Sequence, residues 1–481
     1  MKQQKRFSTR ARLNAIGSLA ALSLTRPMPK IAAQEHANTH PNIVVIVTDD
    51  MRTSEFSALE RTTELMGTQG TTFPNFFVTT PQCSPSRTSI LTGLYAHNHG
   101  VRQNGLPLGG WDVFHENHLE ERTIAKALND VGYHTIFAGK YVNGFPVDGD
   151  VPVGWDEFYA TGEIAYTNFT LNENGVPATY AAASGAYSTD VLLDKLLHAI
   201  DSTPNDTPLF LLYAPAAPHS PARPAARHDK AFRGAVLETT PAYNEDDITD
   251  KPEYVRKWPA IDDEAQNSLI RLQQKRLASL LAVDEAVGSL WDALATHERL
   301  ANSSIFFLSD NGYLLGEHRA VAKQVPYDAA VRIQMLVYGP GFEAGAVDNR
   351  LIANIDIAPT LASIAGISAF PADGISLVDE AGRDALLIEN HASPYDMEEI
   401  TADSTKRWPP TYQAVRTDRY LYVEYETGER ELYDYEVDPF ELDNLIADWE
   451  GHAPSEDAEA VADRLRARLN ELRDCSSETC R

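Results

Sequence analysis

The chain has 481 residues, 43% of them hydrophobic, three cysteines and a formal net charge of −28 at pH 7. That length buries a large core, in one big domain or two. The acidic balance excludes binding through broad contact with nucleic-acid phosphates, and it repels long polyanions at range, so an anionic ligand needs a locally positive pocket.

The chain opens with a basic stretch carrying Lys2, Lys5, Arg6, Arg10 and Arg12, then a mildly apolar run over residues 13–24, then Ile31, Ala32 and Ala33. This order reads as a secretory signal peptide or a disordered N-terminal segment, residues 1–36. The run is too short for a stable bilayer anchor, and no later run is long and apolar enough for a transmembrane helix. Residues 41–50, PNIVVIVTDD, predict a strand buried on both faces and ending in Asp49 and Asp50.

Residues 81–100, PQCSPSRTSILTGLYAHNHG, contain Cys83, the one cysteine outside the last seven residues. Ser84 as N-cap and Pro85 at the first helical position predict a helix start. Cys83 then stands at the positive end of that helix, with Arg87 one turn on. Residues 120–130 have helical spacing, and 133–138 predict a strand followed by Gly139 and Lys140. A helix over 190–200 precedes a strand over 209–213, which leads to Pro218, His219 and Pro221. A long helical pattern covers 262–294. Strands at 304–308 and 334–338 follow, the first running into Ser309, Asp310, Asn311 and Gly312, and a short helix is predicted over 356–365.

Strands alternating with helices predict an α/β fold with a large, mostly parallel sheet. Four strands end in ionisable residues: Asp49 and Asp50, Lys140, His219, and Asp310. In a parallel sheet those ends share the edge where ligands bind. Beyond residue 370 the pattern becomes aromatic and alternating, at 413–417, 420–426 and 431–435, before a charged amphipathic helix at 456–473. These predict a small antiparallel sheet with a packed helix. The organisation is thus 1–36, a catalytic domain at 37–370 and a C-terminal subdomain at 371–481. Cys475 and Cys480 can close a small disulfide loop in an exported protein. Asn168, Asn205 and Asn302 head glycosylation sequons.

Asp49, Asp50, Asp310 and Asn311 offer oxygen ligands alone, which suit Ca2+ or Mg2+ better than zinc. Arg87, Lys140, His219 and Lys323 form the cationic side. Such cations stabilise charge developing on an ester's oxygens, and a histidine can protonate a leaving oxygen.

Cys83-x-Pro85-Ser86-Arg87, with Thr92-Gly93 after it, resembles the signature of the type I sulfatases. The resemblance continues at Thr48-Asp49-Asp50, Gly139-Lys140, Pro218-His219-x-Pro221, Ser309-Asp310-Asn311-Gly312, Gly316-Glu317-His318, and Lys323 with Tyr327-Asp328. It covers residues 41–374, most of the chain. It implies an alkaline-phosphatase-like sulfatase fold. It also implies oxidation of Cys83 to formylglycine by a formylglycine-generating enzyme, the hydrate being the nucleophile. A calcium ion would be held by Asp49, Asp50, the modified Cys83, Asp310 and Asn311. Arg87 and Lys140 would steady the hydrate, while His219 and Lys323 would hold the sulfate and serve the leaving group.

Within the family the likeness is greatest to N-acetylglucosamine-6-sulfatases and heparan sulfate 6-O-sulfatases, through His97-Asn98-His99, residues 137–143 with Asn143, and residues 353–356. It departs from that branch at Gly316-Glu317-His318. His97, His99, Asn143 and His318 are the expected substrate contacts, with Arg102 and Asn104 as weaker candidates. The leading reading is a secreted, periplasmic or extracellular sulfatase of a small or terminal sulfated carbohydrate, with no nucleic-acid partner. The alternatives are a broad arylsulfatase, a phosphoester or phosphonate hydrolase, and a silent carbohydrate-binding protein.

Overall fold

The computed structural model describes residues 40–321, 323–378, 382–392, 409–449 and 451–481; the expected signal segment lies outside them. The described residues form one compact unit.

The large sheet contains β1 (Asn42–Thr48), β2 (Thr71–Phe77), β3 (His134–Lys140), β4 (Glu157–Thr161), β5 (Phe169–Glu173), β6 (Val176–Tyr180), β7 (Leu209–Ala214), β8 (Ser303–Ser309), β9 (Arg332–Tyr338), β10 (Ala346–Val347) and β11 (Ile352–Ala353). Its order is β10-β2-β9-β8-β1-β7-β3-β4-β5-β6, with β11 also on β2. The centre is parallel, from β8 through β1, β7 and β3 to β4. Every residue of β1, β7 and β8 is buried, as their unbroken apolar runs require.

The margins are antiparallel. β9 opposes β8, and β2 opposes β9. Two reversals make β2 run in the same direction as β1, so its C-terminal end reaches the ligand edge and delivers Cys83 there. β2 carries Pro74, and its register shifts between Phe73 and Phe76. This irregularity is why the strand escapes an alternation pattern.

The helices that matter here are α1 (Cys83–Thr92), α2 (Ile124–Asp130), α3 (Ser188–Ser202), α4 (Asp263–Thr296), α5 (Ile357–Ile364) and α6 (Glu456–Leu472). The helix predicted over 120–130 is broken. Leu119–Arg122 is a 3-10 turn, and Thr123, extended at ψ 154°, caps α2 by accepting from the Lys126 amide. The pattern over 262–294 is one helix of 34 residues, capped by Asp262.

A second sheet, β12 (Leu386–Asn390), β13 (Tyr412–Arg416), β14 (Tyr420–Tyr425) and β15 (Arg430–Asp434), is antiparallel throughout. It shares one buried apolar core with the body, and polar ties are added to it. Tyr327 Oη donates to Glu431 Oε1 at 2.9 Å, and Arg416 Nε to Asp328 Oδ1 at 3.2 Å. Cys475 and Cys480 are disulfide-bonded. Among the described residues no helix is long and apolar enough to cross a membrane.

Candidate active site

Five strand ends build one cage. β1 ends in Asp49 and Asp50, both buried. Asp50 takes a left-handed conformation, φ 66°, which an aspartate tolerates better than most residues. Its amide donates to Asp310 Oδ1 at 3.0 Å, and Ser309 Oγ accepts from Met51 N at 2.9 Å, so the β1 and β8 ends are laced together. Gly139 precedes Lys140 at φ 139°, and a Cβ there would stand 2.0 Å from the Ala214 carbonyl. Only glycine allows β3 this close to β7 just before its lysine.

Cys83 is the first residue of α1, with Gln82 as N-cap. Ser84 is therefore the second residue of the helix rather than its cap, and Pro85 occupies the third position, still among the amides with no helical acceptor. The missing cap comes from afar: Asn104 Oδ1 accepts the Ser84 amide at 2.9 Å. Ser84 Oγ donates to Asn143 Oδ1 and accepts from the Asn143 amide, both at 3.0 Å. Asn143 thus anchors the nucleophile helix.

Cys83 Sγ lies 3.5 Å from Asp49 Oδ1, and Lys323 Nζ donates to it at 2.8 Å. Lys323 also donates to Asp50 Oδ1 at 2.5 Å, and Lys140 to Asp49 Oδ2 at 2.8 Å. Arg87 Nε donates to Asp310 Oδ2 at 2.9 Å and Nη1 to the Lys140 carbonyl at 2.7 Å. His219 Nε2 is 3.4 Å from Asp50 Oδ2, and its side chain, 25% exposed, is the cage's opening toward solvent.

Burial opposes ionisation of Asp49, but Lys140, His219, Arg87 and Lys323 outweigh it and hold its pKa well below the usual range. Asp310 goes the other way: burial and the nearby Asp49 raise it. Burial also pushes the Cys83 thiol up to about 12, against the pull of Lys140 and Lys323. As a plain thiol Cys83 is protonated at neutral pH, unlike cysteines that act directly as thiolates.

The Sulfatase family matches residues 41–367, and "N-sulphoglucosamine sulphohydrolase, C-terminal" matches residues 316–475. The chain belongs to the sulfatase family. Human N-acetylglucosamine-6-sulfatase is 32% identical over 92% of this chain and 86% of that protein. A sulfatase-fold structure solved in complex with its substrate D-glucosamine-2-N,6-O-disulfate superposes with a TM-score of 0.73, at 21% identity, over 90% of this chain and 99% of that one. The phosphonate monoester hydrolase of Agrobacterium radiobacter superposes at 0.68, with 21% identity over 90% and 95%. The sulfatase is a sulfuric ester hydrolase, and its family implies a metal ion and a formylglycine.

The cage fits a cation. One ligand atom each from Asp49, Asp50, Cys83 and His219 falls within 4.8 Å of the others. Among the described residues Asn311 Oδ1 is buried without a hydrogen-bond partner, an acceptor in need of a positive neighbour.

Three expected substrate contacts are elsewhere. His97 is spent between Glu389 Oε1 and the Cys475 carbonyl, each at 3.0 Å. His99 is buried, its Nε2 3.2 Å from Ser89 Oγ and its Nδ1 accepting from Val101 N. Burial pushes it down to about 3, so it is neutral. His318 is buried between Glu245 Oε2, at 2.7 Å, and Glu441 Oε2, at 3.6 Å. None of the three offers a ring nitrogen to the cage. For His97 and His99 the reason is geometric: the ten residues of α1, about 15 Å of helix, intervene after Cys83; His318 is instead held between two carboxylates.

Sequence reasoning missed Arg276 and Glu55. Arg276 Nε and Nη2 grip Glu55 at 2.6 and 2.7 Å, and Tyr313 stacks 5.1 Å from the guanidinium. The signal was present: Leu269, Gln273, Arg276 and Leu280 share the buried stripe of α4, and a charge on such a stripe requires a partner.

Proposed function

We propose that this sulfatase hydrolyses the sulfate ester of a small or terminal sulfated carbohydrate, with 6-O-sulfated N-acetylglucosamine as the leading substrate, after Cys83 is converted to formylglycine. The observation that carries the reading is Cys83 at the head of α1, within reach of both Asp49 and Lys323 in a buried cage. The choice of sugar is supported by the 32% identity to human N-acetylglucosamine-6-sulfatase.

Formylglycine, once made from Cys83 by a formylglycine-generating enzyme, would supply a hydrated aldehyde as the oxygen nucleophile toward sulfur. Calcium, with magnesium the competitor, would be held by Asp49, Asp50, position 83, Asp310 and Asn311, and would supply positive charge against the sulfate oxygens. Arg87 and Lys140 are fixed on Asp310 and Asp49, from where they would orient the hydrate. Lys323 bridges position 83 and Asp50, a site from which it can hold a sulfate oxygen. His219, at the solvent opening, can protonate the leaving oxygen. Asn143 Oδ1 accepts from Ser84, and its Nδ2, with no partner among the described residues, can donate to substrate. Residues 1–36, read as a signal peptide, would direct export to a periplasmic or extracellular site.

The test has two parts. Mass spectrometry of the Cys83 peptide from the native source should show the aldehyde; a thiol throughout would overturn the mechanism. The value of kcat/KM should then be measured for 6-O-sulfated N-acetylglucosamine, an aryl sulfate and a phosphonate monoester. Preference for the sugar supports the reading, while equal or better use of the others would replace it with a broad arylsulfatase or a phosphonate hydrolase.

A further inference from the structure

A cavity of about 520 Å3 lies among the loops that follow β3, β4 and β7, within the size range of small-ligand sites. Gly144, Glu163, Tyr166, Asn168, Pro221 and Arg223 are on its wall. Three observations tie it to the cage. Gly144 is next to Asn143, which holds the nucleophile helix through Ser84. Tyr166 Oη donates to the His219 carbonyl at 2.5 Å and to the Ala216 carbonyl at 3.2 Å, so the cavity wall backs the segment that carries His219. The Ala222 amide turns back to the His219 carbonyl at 2.9 Å, which brings Arg223 nearer to His219 than the roughly 14 Å that four extended residues would span.

Arg223 is exposed, and among the described residues its guanidinium has no ion pair and no hydrogen bond; only its carbonyl is used, by Tyr187 Oη at 2.9 Å. Arg227, on the same loop, is fully committed: it pairs with Asp190 and Glu285, each at 2.7 Å. On a chain of net charge −28, an unpaired arginine in a concave site beside the reaction centre is a local reversal of the prevailing field. Glu163, on the same wall, suits sugar hydroxyls, which donate to carboxylates.

We propose that this cavity is a saccharide subsite in which Arg223 pairs with a second anionic group of the substrate, a sulfate or a carboxylate on the sulfated sugar or its neighbour. The proposal rests on the sulfatase reading of the cage. It assigns the protein to doubly charged saccharides in preference to singly charged ones.

Arg223→Ala, Arg223→Lys and the parent are compared on three probes: 6-O-sulfated N-acetylglucosamine, glucosamine bearing two sulfates, and a disaccharide joining 6-O-sulfated N-acetylglucosamine to a uronic acid. Calorimetric binding is measured in a Cys83→Ala background, and kcat/KM in the converted enzyme. Loss of a charge-assisted pair should weaken the doubly charged probes by about 10- to 100-fold more than the singly charged one, with partial rescue by lysine, which keeps the charge but not the fork. The arm that responds, disulfate or uronate, identifies the second anion. Equal effects on all three probes, or none on any, would overturn the proposal. Charge-selective binding without turnover by the converted parent would leave the subsite standing and overturn the sulfatase reading instead.

Discussion

Arg276 Nη2 donates to the main-chain carbonyl of Asp50 at 2.6 Å, from a helix that begins far along the chain. The same guanidinium reaches the Pro218 carbonyl at 3.4 Å and stacks under Tyr313. One fully buried side chain thus touches the segments that follow β1, β7 and β8, and Glu55 balances its charge. Its place explains how Asp50 keeps a left-handed backbone at the mouth of the cage.

Arg276→Met should therefore destabilise the fold by about 3–5 kcal/mol, because Glu55 is left as an uncompensated buried charge. Glu55→Gln together with Arg276→Met should recover part of that loss. Urea denaturation of the two variants checks this; a double variant no more stable than the single one would show that the ion pair is not the source of the cost.

The centre of the sheet was legible because β1, β7 and β8 are buried on both faces and so are written in continuous apolar residues. Their ends could be placed on one edge from the fold class alone. β2 was not legible, since Pro74 interrupts it, and neither were the short margin strands β4, β5 and β6. The direction of β9 is a property of pairing that no local pattern carries. At the site, Asp49, Asp50, Lys140, His219 and Asp310 were readable because they stand at or just after strand ends, whereas Cys83, Arg87 and Lys323 were read from the motifs around them. His97, His99 and His318 follow motifs in sequence only. The buried stripe of α4 marked Arg276 as a charge needing a partner, but its pairing with Glu55, and that of Asn104 with the Ser84 amide, cross long stretches of chain where spacing is silent.

Removal of divalent ions should lower stability as well as activity. The cage gathers the buried carboxylates Asp49, Asp50 and Asp310, and among the described residues Asn311 Oδ1 has no donor. Thermal denaturation after chelation should show a lower Tm, restored by calcium; at a calcium concentration 100 times Kd the gain is about 2.7 kcal/mol. Asn311→Leu should weaken calcium binding by about tenfold or more. A Tm indifferent to both chelator and calcium would remove the metal from this cage.

Asn104 supplies the cap that Gln82 does not. Asn104→Ala should cost about 1 kcal/mol, the ordinary price of a lost N-cap. The larger effect should be on kcat, since the bond holds the amide next to Cys83 and hence the aim of that residue. Steady-state kinetics should show kcat falling with KM little changed. A rise in KM at constant kcat would place Asn104 against substrate instead.

His318 gives the pH dependence. Burial opposes its charging, but Glu245 and Glu441 outweigh that and push its pKa up to about 9, against about 6.5 in an unfolded chain. The groups facing it are those two carboxylates and the Tyr327 ring, 4.3 Å away, while Lys251 Nζ sits 3.3 Å from Glu245. Folding therefore takes up a proton at this site. Its contribution is present in full below about pH 6.5 and is lost as pH rises through about 9. The Tm advantage of the parent over His318→Gln should be on the order of a few degrees near pH 6 and should shrink across that window. A constant advantage would mean that His318 folds uncharged. The same variant separates structure from specificity. His318 lies on the segment that leads to Lys323 and touches no group of the cage, so kcat/KM should fall by a similar factor for sulfated sugars and aryl sulfates. A changed ranking among them would put His318 back against the leaving group.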